Sequence, residues 1–100
     1  MAKFLMVVQT RARQGRDDEF NEWYDKEHLE HMRSVPGVVS AKRFDLLTNS
    51  PYKPNNPYLT LYELEADDPM QVLAEIGKRK YPVSEALEAE TTQMSFYKIH

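Results

Sequence analysis

An α+β fold with the element order β-α-β-β-α-β is what this sequence predicts. Three observations predict it: four short runs of large apolar and β-branched residues, two segments with helical periodicity, and turn signals between them. The 100 residues suffice for one domain with a modest core, without internal repeat, low-complexity tract or interdomain linker.

Residues 3–10, KFLMVVQT, make the first strand, with Phe4, Met6 and Val8 on one face and Leu5 and Val7 on the other. A strand apolar on both faces needs cover on both. Residues 11–16, RARQGR, are a polar loop whose Arg11, Arg13 and Arg16 could meet an anion; a solvated loop is the plainer reading. Asp17 or Asp18 caps a helix running to about Ser34, where Val35-Pro36-Gly37 stops it. Residues 38–47, VVSAKRFDLL, read as the second strand, whose alternation groups Arg43 with Val39 and Ala41. Three prolines and three asparagines make 48–57 a loop. The third strand, 58–65, sets Leu59 and Leu61 against Tyr58, Tyr62 and Leu64. Asp68-Pro69 opens a second helix over 69–78, presenting Met70, Leu73, Ala74 and Ile76 and fraying near Gly77. A short helical turn is expected at 83–89. The last strand, 91–99, carries Met94 and Phe96 on one face and Tyr97 and Ile99 on the other.

This order is the ferredoxin-like split βαβ arrangement, an antiparallel four-stranded sheet with both helices on one face. The other face is left bare, and its apolar residues point to a C2 homodimer joined sheet to sheet.

Composition narrows the function. Apolar residues are 41% and charged residues 29%, ordinary for a globular domain. Thirteen basic against sixteen acidic residues give a net charge of −3, which offers no footprint for nucleic acid or an anionic membrane. The absence of cysteine excludes disulfides, thiolate metal sites and a cysteine nucleophile, and is compatible with a reducing cytoplasm, the expected location. The apolar run at the N-terminus is too short for a signal peptide core or a membrane span. Three glycines leave no phosphate-cradling loop.

The chemistry concentrates in residues 21–32, NEWYDKEHLEHM. At about 100° per residue, Phe20, Tyr24 and Val35 form an apolar stripe that also contains His28 and His31. Glu19, Glu22, Lys26 and Glu30 take the opposite side, while Asn21 and Asp25 lie along the stripe's edge. His28 is the candidate general acid or base, since an imidazole can move protons near neutral pH. Asp25, three residues earlier, could hold one ring nitrogen and fix the tautomer. Tyr24, with Tyr52, Tyr58, Tyr62 or Tyr97 from elsewhere, could give a hydrogen bond to a developing oxyanion. Trp23 and His31 are candidate ligand contacts. The competing readings are a boundary histidine at 28, a dipole-favoured histidine at 31, and packing for both aromatics. His28-x-x-His31 lacks the i,i+4 spacing of helical zinc pairs and the further ligands a site needs, so no metal is expected.

N-E-W-Y-D-x-E-H-L (21–29) followed by V-P-G-V-V-S-A-x-R-F (35–44) resembles the EthD-like group of the dimeric α+β barrel superfamily. The resemblance implies a ferredoxin-like protomer, a face-to-face homodimer and a cleft between sheet and helices. It matches His28 to a histidine that works as acid or base in several cofactor-free relatives. It also draws attention to Arg43, which could clamp a substrate carboxylate or phenolate, the competing reading being a salt bridge to Asp25 or Glu27.

The expected function is a cofactor-independent enzyme moving a proton on an aromatic, lactone or polyketide-like metabolite, in an isomerisation, cyclisation or elimination. The alternatives are a haem-binding or cofactor-free monooxygenase, and a non-catalytic ligand-binding accessory dimer. The loop at 48–57 is long for a hairpin, and Tyr52 at its centre could close a pocket, against a stiff solvent loop.

Overall fold

The computed structural model describes residues 2–100. β1 (Ala2–Thr10), β2 (Val38–Asp45), β3 (Tyr58–Ala66) and β4 (Gln93–Lys98) form one antiparallel sheet in the order β2-β3-β1-β4. Helix α1 spans 17–33 and α2 is Pro69–Arg79. The predicted order and layers are those observed.

The two faces of the sheet separate by alternation. Met6, Val8, Thr60, Tyr62, Leu64 and Ala41 are buried under the helices, against Phe20, Trp23, Tyr24, Leu29, Met32 and Val35 from α1 and Val72 from α2. On the other face Leu5, Val7, Leu59 and Leu61 are half-buried, and Phe44 and Tyr97 are exposed. No helix among the described residues is long and apolar enough to cross a membrane.

Several local details differ from expectation. Neither Asp17 nor Asp18 caps α1 through its side chain. Both lie in the first turn with Glu19, where carboxylates favour the positive end of the helix dipole. β2 is shorter than expected and carries a register shift between Val38 and Ser40. That irregularity takes Val39 out of the row containing Ala41 and Arg43, and Val39 is exposed. α2 does not fray at Gly77. It runs to Arg79 and ends at Lys80 in the left-handed region, φ 51°. Its buried residue is Val72, while Met70 and Ala74 are exposed. Asp68 caps it as expected, accepting from Met70 N–H at 2.9 Å.

The short helical turn expected at 83–89 is reduced to a single hydrogen-bonded turn at 85–86, closed by Leu87 N–H to Ser84 O at 3.2 Å. Residues 86–88 instead pair with 11–13, through Arg13 N–H to Ala86 O (2.7 Å) and Glu88 N–H to Arg11 O (3.0 Å), before a 3-10 turn at Ala89–Thr91. Ala86 is fully buried there. The same pairing settles the three loop arginines. Arg11 pairs with Glu88 and Arg13 with Glu90, while Arg16 pairs with Glu19 on α1.

Gly37 makes the turn from α1 into β2 possible. Its φ is +95°, and a Cβ there would sit 2.8 Å from Val72 Cγ2 and 3.2 Å from Glu65 O. The carbonyl of Gly37 accepts from Glu65 N–H at 2.8 Å, so the turn approaches β3 closely.

Candidate functional site on helix α1

α1 is not regular. Residues Tyr24–His28 form a π-helical turn between α-helical segments Asp17–Trp23 and Leu29–Arg33. Single π turns inside α-helices occur frequently at functional sites. The wider turn rotates successive side chains by less than the α-helical step, so the contacts expected from regular spacing change. Asp25 is the clearest case. It does not hold His28. Its Oδ1 accepts from Arg43 Nη1 at 2.8 Å across the edge of β2.

Arg43 is the hub of this face. Nη1 donates to Asp25 and Nη2 donates to Asn21 Oδ1, each at 2.8 Å. The guanidinium carbon lies 4.6 Å from the ring centroid of Tyr24 and 5.5 Å from those of Phe20 and Tyr58. The side chain is only 13% exposed, whereas Asp25 is 59% exposed. Arg43 therefore makes the salt bridge that competed with the substrate-clamp reading, and both its terminal nitrogens are engaged within the protein. Its Nε is buried without a partner.

Tyr24 and Tyr62 face each other beneath it. Their hydroxyls are 2.8 Å apart, and their side chains are 2% and 1% exposed. Burial drives both phenols above the ordinary tyrosine range, and for Tyr62 the neighbouring Tyr24 adds to the rise. Both hydroxyls are thus neutral donors and acceptors, but they serve one another inside the core. Tyr58 is committed as well, donating to Asp17 Oδ2 at 2.6 Å.

His28 occupies the edge of this cluster. Its ring stacks on Trp23 at 4.7 Å and 27°, and meets Tyr24 edge-on at 4.8 Å and 83°. Its Nδ1 is buried without a hydrogen-bond partner. Burial first, and then the charge of nearby His31, lowers its pKa from 6.5 to about 4. The imidazole is therefore neutral at neutral pH. His31 sits one turn on, stacked flat on Tyr81 at 4.4 Å and 2°, and its Nδ1 is also buried and unpartnered. Tyr81 escaped the sequence reading because it follows α2 outside any periodic run. Its hydroxyl joins Ser34 Oγ at 2.9 Å and accepts from Arg79 at 2.8 Å, tying the ends of the two helices together.

The structure therefore brings Trp23, Tyr24, Asp25, His28, Arg43 and Tyr62 onto one side of the sheet, with His31 beside them. Tyr52 is not among them. It is 76% exposed on the loop at 46–57, beside Gln9, Arg11, Asn56 and Gln93. That loop borders a concavity of about 490 Å3 on the open face of the sheet, with Gln9, Phe44, Leu47, Pro54 and Leu59 in its wall. The expected cleft between α1 and the sheet is filled in this conformation by Met6, Phe20, Tyr24 and Tyr62, each no more than 2% exposed. No group of three potential metal ligands is present among the described residues.

Neither a protein-family model nor a curated protein sequence matches the chain. Solved structures do. A proposed monooxygenase from Shewanella loihica superposes with a TM-score of 0.68 at 13% identity, over 99% of this chain and 95% of that one. The haem-degrader MhuD from Mycobacterium tuberculosis, solved with two haems bound in its active site, gives 0.64 at 11%, over 96% and 94%. An ethyl tert-butyl ether D (EthD) family protein from Bacillus halodurans gives 0.58 at 15%, over the whole of both chains. At these identities the likeness is one of fold: an antiparallel four-stranded α+β sheet of ferredoxin-like order with both helices on one face.

Proposed function

We propose that the protein is a small-molecule enzyme that moves a proton on an aromatic, lactone or polyketide-like metabolite, with His28 as the side chain that meets the reacting part of the substrate. One observation carries this reading. A π-helical turn, a local departure from the regular helix, ends on an imidazole held neutral and with a buried nitrogen left unpartnered. A purely structural boundary histidine would be expected to satisfy that nitrogen. Arg43, anchored by Asp25 and Asn21, supplies a fixed positive charge over the Tyr24 ring.

The working unit in this reading is a homodimer. Leu5, Val7, Leu59 and Leu61, with exposed Phe44 and Tyr97, give the open sheet face an apolar surface that a second copy would cover. Sedimentation equilibrium at micromolar concentration should return twice the protomer mass; the protomer mass alone would contradict the dimer.

An oxidative reading draws support from the neighbours described as a proposed monooxygenase and a haem-degrader. His28 has the donor chemistry of an axial ligand, a neutral imidazole. The space does not match: Met6, Phe20, Tyr24 and Tyr62 fill the layer beneath α1, leaving no slot for a macrocycle in this conformation. Haem would therefore require α1 to move off the sheet.

A thermal-shift screen of phenols, aromatic acids, lactones, polyketide-like compounds and haem, run on wild type and His28→Ala, tests the site. A ligand at about 100 times its Kd adds roughly 2.7 kcal/mol. One class should raise the Tm of wild type well above that of the variant, and turnover of that class should fall at least about a hundredfold in His28→Ala. Assays with and without oxygen separate the two chemistries, and haem declares itself by a Soret shift. Equal shifts in both proteins would remove His28 from the site.

A further inference from the structure

We infer that His28 meets its ligand as a neutral hydrogen-bond donor, through Nε2–H, and that the ligand presents a carbonyl or phenolate oxygen to it. This rests on His28 being the ligand-facing group and assigns what that group does.

The geometry leaves few choices for the proton. A neutral imidazole carries one proton on one of two nitrogens. Nδ1 is buried and has no acceptor within hydrogen-bonding distance. The carboxylate expected to hold a proton there, Asp25, is bonded to Arg43 instead. What packs on the ring is aromatic: Trp23 on its face and Tyr24 edge-on. A proton on Nδ1 would bury an N–H without an acceptor, which folded proteins rarely tolerate, whereas an unsatisfied lone pair is the milder fault. A second proton would place a cation in the same aromatic slot one turn from His31, where burial and His31 already oppose it. The proton therefore sits on Nε2, the ring nitrogen that is not sealed against the core. Neutral imidazoles act this way in catalysis when a depressed pKa keeps them from charging: they polarise an oxygen and can pass it the Nε2 proton as negative charge develops there.

This fixes the class of ligand. Nε2–H has no lone pair to offer, so an ammonium or amide N–H gains nothing from it. An oxygen that carries or develops negative charge gains most, because hydrogen bonds with one ionised partner are about twice as strong as neutral ones. Carbonyl compounds that pass through enolates, and phenols bound as phenolates, both qualify.

Two-bond 15N–1H correlation spectra of the labelled protein at pH 7 distinguish the two tautomers and the doubly protonated ring, with His28→Gln providing the assignment. The expected spectrum shows His28 protonated on Nε2 alone. Protonation on Nδ1, or on both nitrogens, overturns the inference. The probe for the ligand class is 4-nitrophenolate at pH 8.5. It should move the His28 Nε2 resonance. His28→Gln, which keeps an amide N–H donor, should bind it within about tenfold of wild type, and His28→Ala should lose more than tenfold. A phenolate that leaves Nε2 unmoved, or Gln and Ala variants that weaken alike, overturns the ligand class. The tautomer spectrum needs no ligand, so its failure is distinct from a failure of ligands to bind at His28.

Discussion

Arg43→Ala should destabilise the protein by about 3–4 kcal/mol, a large loss for a substitution on a strand at the edge of the sheet. The loss has three sources. Hydrogen bonds involving a charged group contribute roughly 1.5–3 kcal/mol, and Arg43 makes two, to Asp25 and Asn21. A desolvated cation over an aromatic ring adds up to about 2 kcal/mol, and Arg43 lies near the faces of three rings. Removing the side-chain stem also leaves the rings of Phe20 and Tyr58 partly uncovered. These contributions are not additive, so the sum is an upper bound. Asp25→Ala should cost less, about 1–2 kcal/mol, because its carboxylate is mostly solvated and Asn21 still holds the guanidinium. Arg43→Met should fall between the two, since it restores the apolar volume and lacks only the charge and hydrogen bonds. Urea unfolding of the three variants checks the order. An Arg43→Ala protein within about 0.5 kcal/mol of wild type would mean the cluster is a solvated surface contact.

The second large effect is a dependence on pH that belongs to His28. The folded protein keeps its imidazole neutral down to about pH 4, while the unfolded chain protonates it near 6.5. Above pH 6.5 neither state takes a proton, and stability is unaffected. Between 6.5 and 4 only the unfolded chain does, so stability falls as the pH falls. Below 4 both states are protonated and the loss is complete, at about 3 kcal/mol. Carboxylates titrate in the lower part of the same window, so the relevant quantity is the difference between wild type and His28→Gln. Wild type should lose about 3 kcal/mol more than His28→Gln between pH 7 and pH 4. Parallel curves would place the imidazole in solvent.

Much of the fold was legible because strands advertise themselves by alternation that burial then enforces. Met6 and Val8 point under the helices while Leu5 and Val7 take the other face, and the observed sheet keeps that division. Asp68-Pro69 announced α2 through cap chemistry that depends on two residues only. The features that were not legible depend on contacts from distant parts of the chain. Nothing local in 86–88 announces that these residues pair with the chain at 11–13; the distant segment decides it. Val39 leaves its row because of an irregularity that only the pairing with β3 reveals.

The site shows the same division. His28 and Tyr24 were visible as polar and aromatic residues on an apolar stripe. Their relation to Asp25 was not, because the π turn breaks the periodicity on which the wheel relies. Arg43 stands out in the sequence as a cation beside Ala41, and the choice between salt bridge and clamp needs the third dimension. Tyr81, stacked on His31, had no signal in the sequence at all.

The proposed function depends on the state of one imidazole, and its titration is the most direct measurement. Following the His28 Cε1 proton by NMR from pH 8 to pH 3, assigned by its loss in His28→Gln, reports that state without reference to any ligand. The expected midpoint lies near 4, more than two units below the ordinary histidine value. A midpoint near 6.5 would show an open, solvated ring and contradict the neutral, desolvated group on which the proposed function depends.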